Sequence, residues 1–172
     1  MSTPGGRRRL YAVLASLAAL TLVADQGTKA WALAALRPGE SVEVVGSWIR
    51  LTLLRNPGAA FSIGDGATWI LTVVSLAILG WVLVASRKVG NLPWAVALGL
   101  LLGGALGNLG DRFFRSPGPG RGHVVDFIAY ADWFVGNVAD IAIVVAAGLI
   151  MVLTYRGTSI SGPVHHPEHA DG

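Results

Sequence analysis

The sequence has no cysteine, and Asp, Glu, Lys and Arg together make up only 13% of its 172 residues. Without cysteine there is no disulfide, no thiol nucleophile and no Cys-based metal site. Soluble domains carry roughly 25% charged residues, so the charge here is about half of that, and it is unevenly spread. Lys, Arg and Glu are absent from three windows, at about 68–86, 93–110 and 137–155. No basic run is interleaved with aromatics, which argues against a nucleic-acid partner. Of the four histidines, His165, His166 and His169 sit loosely spaced in a polar tail, and His123 stands alone. No cluster has metal-ligand spacing, so neither a metal nor another cofactor is expected.

Apolar length is what the chain has instead. Residues are 53% hydrophobic, and the mean hydropathy is +0.59. About 20 apolar residues in a helix cross a bilayer core of about 30 Å, and each of the three windows is of that order. A fourth, at about 10–24, is shorter but becomes apolar again over 30–36. It has a rival reading: Arg7-Arg8-Arg9 ahead of an apolar run resembles a secretory signal peptide, with Leu22-Val23-Ala24 a passable cleavage site. Three later spans favour an uncleaved signal anchor. The fold class is therefore an all-α membrane protein of four transmembrane helices, with a small extracytoplasmic β-sheet platform in the first loop. The organisation is a basic, disordered leader over 1–9, one membrane domain over 10–155 and a polar tail over 156–172.

Residues 37–66 form the first loop. Within it, Val42, Val44, Trp48, Ile49, Leu51 and Leu53 favour extended structure, with a turn at Gly46. Two or three strands are expected there. Residues 111–136 form the second loop, broken by Ser116-Pro117-Gly118-Pro119-Gly120. Helix 3 carries Gly99, Gly103 and Gly107 four apart, beside Gly104, a spacing that lets helices approach closely in lipid. The net charge of +3 and pI of about 9.8 fit basic flanks against anionic lipid. By raw count the positive-inside rule is inconclusive, six basic residues against seven. By density it places Arg7–Arg9 and Arg87-Lys88, and with them both termini, in the cytoplasm.

On that topology the unusual polar residues share one face of the membrane: Asp25, Asn56, Asn108, Asp111, Arg112, Asp126, Asn137 and Asp140. An ionisable group within a span costs about 2.5–3.5 kcal/mol at mid-bilayer and marks a functional site by default. The bland alternative for Asn137 and Asp140 is helix capping. Spacing weighs against it. Asn108 and Arg112 are four apart and Asn137 and Asp140 three apart, so each pair shares a helix face. Packing of helices 3 and 4 can then gather both faces around Asp126. Two carboxylates, two amides and a guanidinium in one pocket are what a tuned acid–base site needs.

At these residues the chain resembles the lipoprotein signal peptidases, or signal peptidase II family. The matching segments are Asp25-Gln26-Gly27-Thr28-Lys29, Arg55-Asn56-Pro57-Gly58-Ala59-Ala60-Phe61-Ser62, Gly103 to Arg112, Val125-Asp126-Phe127 and Asn137-Val138-Ala139-Asp140, in the family's order. The resemblance implies a bacterial inner-membrane aspartic peptidase, working as a monomer among membrane lipids. Its substrates would be prolipoproteins, cut on the amino side of a cysteine carrying a diacylglyceryl group. It implies Asp126 and Asp140 as the catalytic pair. Asp25, Asn56, Asn108, Arg112 and Asn137 would bind substrate or orient the site, with Lys29, Gly58 and Asp111 structural nearby. One departure is Gly136 where the family usually has Phe; Phe134 lies two places earlier.

Two other functions stay open at this point. Lys29 and Ser62 could form a Ser–Lys dyad. The intramembrane acids could instead serve a small proton or solute transporter, although nothing polar continues inward from Asp140 and helix 2 offers only Thr72 and Ser75.

Overall fold

The computed structural model describes residues 4–58 and 68–162. Four long helices carry a small sheet at one end: α1 (Pro4–Ala35), β1 (Ser41–Val45), β2 (Ile49–Asn56), α2 (Thr68–Ser86), α3 (Leu92–Phe114), β3 (Val124–Tyr130), β4 (Phe134–Gly136) and α4 (Val138–Tyr155). All four helices are long and apolar enough to cross a membrane. The first is longer than expected. It begins at Pro4, so Arg7–Arg9 are helical rather than a disordered leader, and it runs unbroken through Leu22-Val23-Ala24 to Ala35. Its Ala- and Leu-rich sequence contains no breaker strong enough to stop it, and Asp25 and Lys29 are paired within the same helix.

Helix α3 is the hub. Buried residues make up 61% of its apolar window, against 22%, 17% and 22% for α1, α2 and α4. Glycine makes this possible. A Cβ on Gly99 would lie 2.8 Å from the Leu14 carbonyl oxygen, and one on Gly103 would lie 2.6 Å from that of Ala18, both on α1. On Gly104 it would lie 2.7 Å from the carbonyl oxygen of Ala139 on α4. In lipid, where apolar burial gives helices no net drive to associate, such close approach is what holds them together. Asn91 caps α3 by accepting from the Trp94 N–H, with Pro93 in the first turn. Beneath it, Leu14, Val82, Val89, Trp94, Leu98 and Leu153 form an apolar core at the end away from the sheet. The outward faces of α2 and α4, with Val73, Trp81, Val144 and Met151, stay apolar and exposed, as a lipid-facing surface must.

The sheet is larger than the first loop alone supplies. Its order is β1-β2-β3-β4, antiparallel throughout. The second loop contributes β3 and β4, where strands were expected from the first loop alone. The helix before it also runs on to Phe114, and the breaker cluster at 116–120 confines the irregular chain to the stretch between them. The sequence Val124-Val125-Asp126-Phe127-Ile128 is β-favouring but unalternated, because Val124 to Phe127 are all buried. Strands covered on both faces read as continuous runs. Phe127 is one cover, meeting Trp31 of α1 edge-on at 6.3 Å.

Candidate active site

Asp126 lies on β3, paired across the ladder with Leu54 just past an irregularity in β2. It is therefore fixed by a strand and not carried on a flexible loop. Asp140 lies in the first turn of α4. The two face one cavity of ≈ 250 Å³, lined also by Asn56, Gly58, Asn108 and Arg112. A larger cavity of ≈ 680 Å³ lies between α1 and α3 and contains neither aspartate.

Three asparagines hold the pair. Asn137 donates its amide to Asp126 Oδ1 at 2.6 Å, and its backbone N–H donates to Asp140 Oδ2 at 3.1 Å. Its Oδ1 accepts from the Asp140 N–H at 3.0 Å, which completes a capping box. Capping and site-building are thus one arrangement: the cap of α4 is the bridge between the two carboxyl groups. Asn108 donates to Asp140 Oδ1 at 2.8 Å, and Asn56 donates to Asp126 Oδ2 at 2.7 Å. Asn56 is itself aimed by Gly58, whose N–H donates to Asn56 Oδ1 at 2.7 Å. Gly58 has φ +116, and a Cβ there would collide with Leu71, so this Asx-turn requires glycine.

Burial dominates the electrostatics of Asp126, which is 1% exposed. Its carboxyl is pushed up to about 6 by desolvation. The Asn56 and Asn137 hydrogen bonds pull it back down, and the charge of nearby Asp140 adds to the rise.

A second cluster lies directly behind the first. Lys29, with no exposed surface, places its ammonium 2.8 Å from Asp25, 2.9 Å from Asp111 and 3.0 Å from Asn108 Oδ1. All three of its N–H donors are used. Asp25 Oδ1 accepts the N–H of Ala139 at 3.0 Å, and Asp111 Oδ2 accepts the N–H of Val125 at 3.1 Å. Ala139 and Val125 immediately precede Asp140 and Asp126. Each scaffold aspartate therefore anchors the backbone one residue before a site aspartate, and Lys29 ties the two anchors together.

Arg112 is buried and lines the same cavity. Its Nη1 donates to the Gly122 carbonyl at 3.4 Å, and among the described residues it makes no ion pair with either site aspartate. The expected neighbourhood is present, but a bidentate pair with the carboxylates is not.

Two contributors are absent from the expected set. Gln26 donates to Asp25 Oδ2, to Asp111 Oδ1 and to the Gly107 carbonyl. Arg115 Nε lies 2.6 Å from Asp111 Oδ1. Arg115 was readable as an i,i+4 partner of Asp111. Gln26 lay inside a matching segment, but its partners Gly107 and Asp111 are 81 and 85 residues away, which no local spacing reports. Of the rival dyad, Ser62 lies outside the described residues and Lys29 has no free donor. The tail histidines also lie outside them. For the transporter, the Thr72 hydroxyl is committed to the Gly120 carbonyl at 2.7 Å.

Four apolar helices closing on a carboxyl pair beneath a small sheet form the frame of a membrane-embedded peptidase. Comparison with known proteins gives the particular one. The model of the family described as signal peptidase (SPase) II matches residues 17–156. A lipoprotein signal peptidase of Streptomyces coelicolor is 48% identical over 160 residues, covering 93% of this chain and 78% of that protein. One of Mycobacterium leprae is 47% identical over 150 residues, covering 87% and 74%. A bacterial membrane enzyme solved by the in meso method at 1.9 Å shares the fold with a TM-score of 0.75 and 30% identity, over 86% of this chain and 95% of that one. The chain belongs to the signal peptidase II family, peptidases of the aspartic type.

Proposed function

We propose that the protein removes signal peptides from diacylglyceryl-modified prolipoproteins, cutting on the amino side of the lipidated cysteine, with Asp126 and Asp140 as the catalytic pair. The observation that carries this reading is the shared bridge: one residue, Asn137, bonds both carboxyl groups at the edge of one cavity. Asn56, Asn108, Asn137 and Arg112 orient site and substrate. Lys29, Gly58, Asp25 and Asp111 hold the frame.

The chemistry follows from two carboxyls sharing one proton. The ionised one takes a proton from water, and the water oxygen attacks the scissile carbonyl carbon. The protonated one gives its proton to the carbonyl oxygen. Collapse of the tetrahedral intermediate breaks the C–N bond, and the dyad returns a proton to the leaving amine. The pair titrates as a unit, so the proton belongs to neither residue alone. An extended substrate suits the site, because a helix hides its carbonyls. The sheet supplies a surface platform for such a strand, and the exposed Val42, Val44 and Trp48 of its edge hairpin suit contact with the membrane. The substrate's acyl chains lie in lipid, gaining about 0.8 kcal/mol per buried CH₂.

The same reading sets the enzyme in the bacterial cytoplasmic membrane as a monomer, with the site extracytoplasmic and both termini cytoplasmic. Cysteines introduced at Ser41 and Ser116 should both react with an impermeant thiol reagent in spheroplasts; labelling of one alone refutes the topology. The decisive assay is incubation of purified protein with a diacylglyceryl prolipoprotein and mass spectrometry of the products. Cleavage before the lipidated cysteine is expected, with the unlipidated precursor cut far more slowly. Equal rates for the two forms, or cleavage elsewhere, would refute the assignment.

A further inference from the structure

We propose that the groove between α1 and α3 binds an anionic phospholipid, its acyl chain along the helices and its phosphate beneath Arg55, Arg115 and His123. The lower part is the ≈ 680 Å³ cavity, walled by Leu22, Leu106, Leu109 and Phe113 and floored by Gly110. A Cβ on Gly110 would meet nothing within 4 Å. Along α3 the stretch from Leu106 to Arg115 rises about 13 Å, long enough for a good part of an acyl chain.

At the sheet end this groove continues, past Phe114 and Arg115, into a second cavity of ≈ 220 Å³. That cavity contains Arg55, Arg115, Ser116 and His123 and no acidic residue. Apolar below and cationic above is the polarity of a phospholipid with a net negative headgroup. A zwitterionic headgroup would satisfy the apolar half equally well but not the cationic one.

The basic groups have donors to spare. Arg55 is exposed, and its side chain has no hydrogen-bond or ion-pair partner among the described residues. Arg115, which lines the cup, gives only Nε to Asp111, so its two terminal nitrogens are uncommitted. Asp111 also borders the groove, but its oxygens already take Lys29, Arg115, Gln26 and the Val125 N–H. No residue is shared between these two cavities and the one containing Asp126 and Asp140, so this is a site separate from the dyad.

Native mass spectrometry tests it. The full-length protein is released into detergent from vesicles of equal phosphatidylcholine and phosphatidylglycerol, and retained lipids are counted. The wild type should retain phosphatidylglycerol in preference. Arg55→Gln should cut that preference about fivefold, the effect of one basic residue near an anionic surface. Gly110→Phe fills the groove and should abolish retention of either lipid. Equal retention of the two lipids by the wild type overturns the site. So does an undiminished preference in Arg55→Gln, or full retention in Gly110→Phe.

Discussion

Four aspartates gather at the sheet end of the helices, and they are held in two different ways. Asp25 and Asp111 face one ammonium, that of Lys29, and Arg115 adds a second cation to Asp111. Asp126 and Asp140 receive only neutral donors: the amides of Asn56, Asn108 and Asn137 and one backbone N–H. Asp25, Asp111 and Asp126 are equally buried, with Asp140 partly exposed, so burial does not separate Asp126 from the first pair. The partner does. A cation fixes a carboxylate in its charged form, while amides steady its position and leave its protonation open. The first pair is suited to anchoring backbone, the second to handling a proton.

Breaking the second pair should have the largest effect. Asp126→Asn and Asp140→Asn each keep a side chain of the same shape. Each should lower turnover by roughly 10²–10⁴-fold, the usual weight of general acid–base catalysis, with the protein still folded and inserted. Product analysis against an unfolding curve separates the two effects.

Breaking the first pair should act on stability. Lys29→Met leaves Asp25 buried without a cation and Asp111 with Arg115 alone, at a cost of about 3–5 kcal/mol. Thermal unfolding in detergent reads this. Turnover should fall as well, because the anchors of Val125 and Ala139 loosen. A Lys29→Met protein as stable as the wild type would remove the distinction between the pairs.

The pH dependence of stability sharpens the contrast. Because the folded carboxyl of Asp126 sits at about 6 instead of 3.8, the folded state binds the extra proton between those values. Stability should therefore fall as pH rises from about 4 to about 6, by up to about 3 kcal/mol, and stay lowered above that. Asp126→Asn should flatten this slope. Arg112→Lys keeps the charge but loses the planar fork; kcat/KM should drop while the unfolding midpoint moves little. The smallest effect is expected at the surface. Asp132, 90% exposed, pairs with Arg50 at 2.7 Å, and Asp132→Asn should change stability by less than about 1 kcal/mol.

Much of this was legible in the sequence. Runs free of Lys, Arg and Glu located α2, α3 and α4 within a few residues, because lipid tolerates little else. The i,i+4 and i,i+3 spacings of Asn108, Arg112, Asn137 and Asp140 foretold a shared face. Gly99, Gly103 and Gly104 foretold close packing. What was hidden is instructive. Strands β3 and β4 escaped notice because β3, covered on both faces, lacks the alternation that marks a half-exposed strand. The reach of α1 was underestimated at its N-terminal end alone, where the basic Arg7–Arg9 read as a solvated leader although they continue the helix; past Asp25 the second apolar stretch over 30–36 already pointed to its continuation. The backbone anchors at Val125 and Ala139 join residues 14 and 114 apart in sequence, which no local pattern reports. The bond from Gln26 to Asp111 has the same character.

Infrared difference spectroscopy of the purified protein, between about pH 5 and about pH 7, addresses the two pairs most directly. A protonated-carboxyl band should disappear as the pH rises through about 6. It should be missing from Asp126→Asn and persist in Asp25→Asn and Asp111→Asn wherever these fold. A band that survives in Asp126→Asn, or that vanishes only in the Asp25 or Asp111 variants, would contradict the assignment of the shared proton to the amide-held pair.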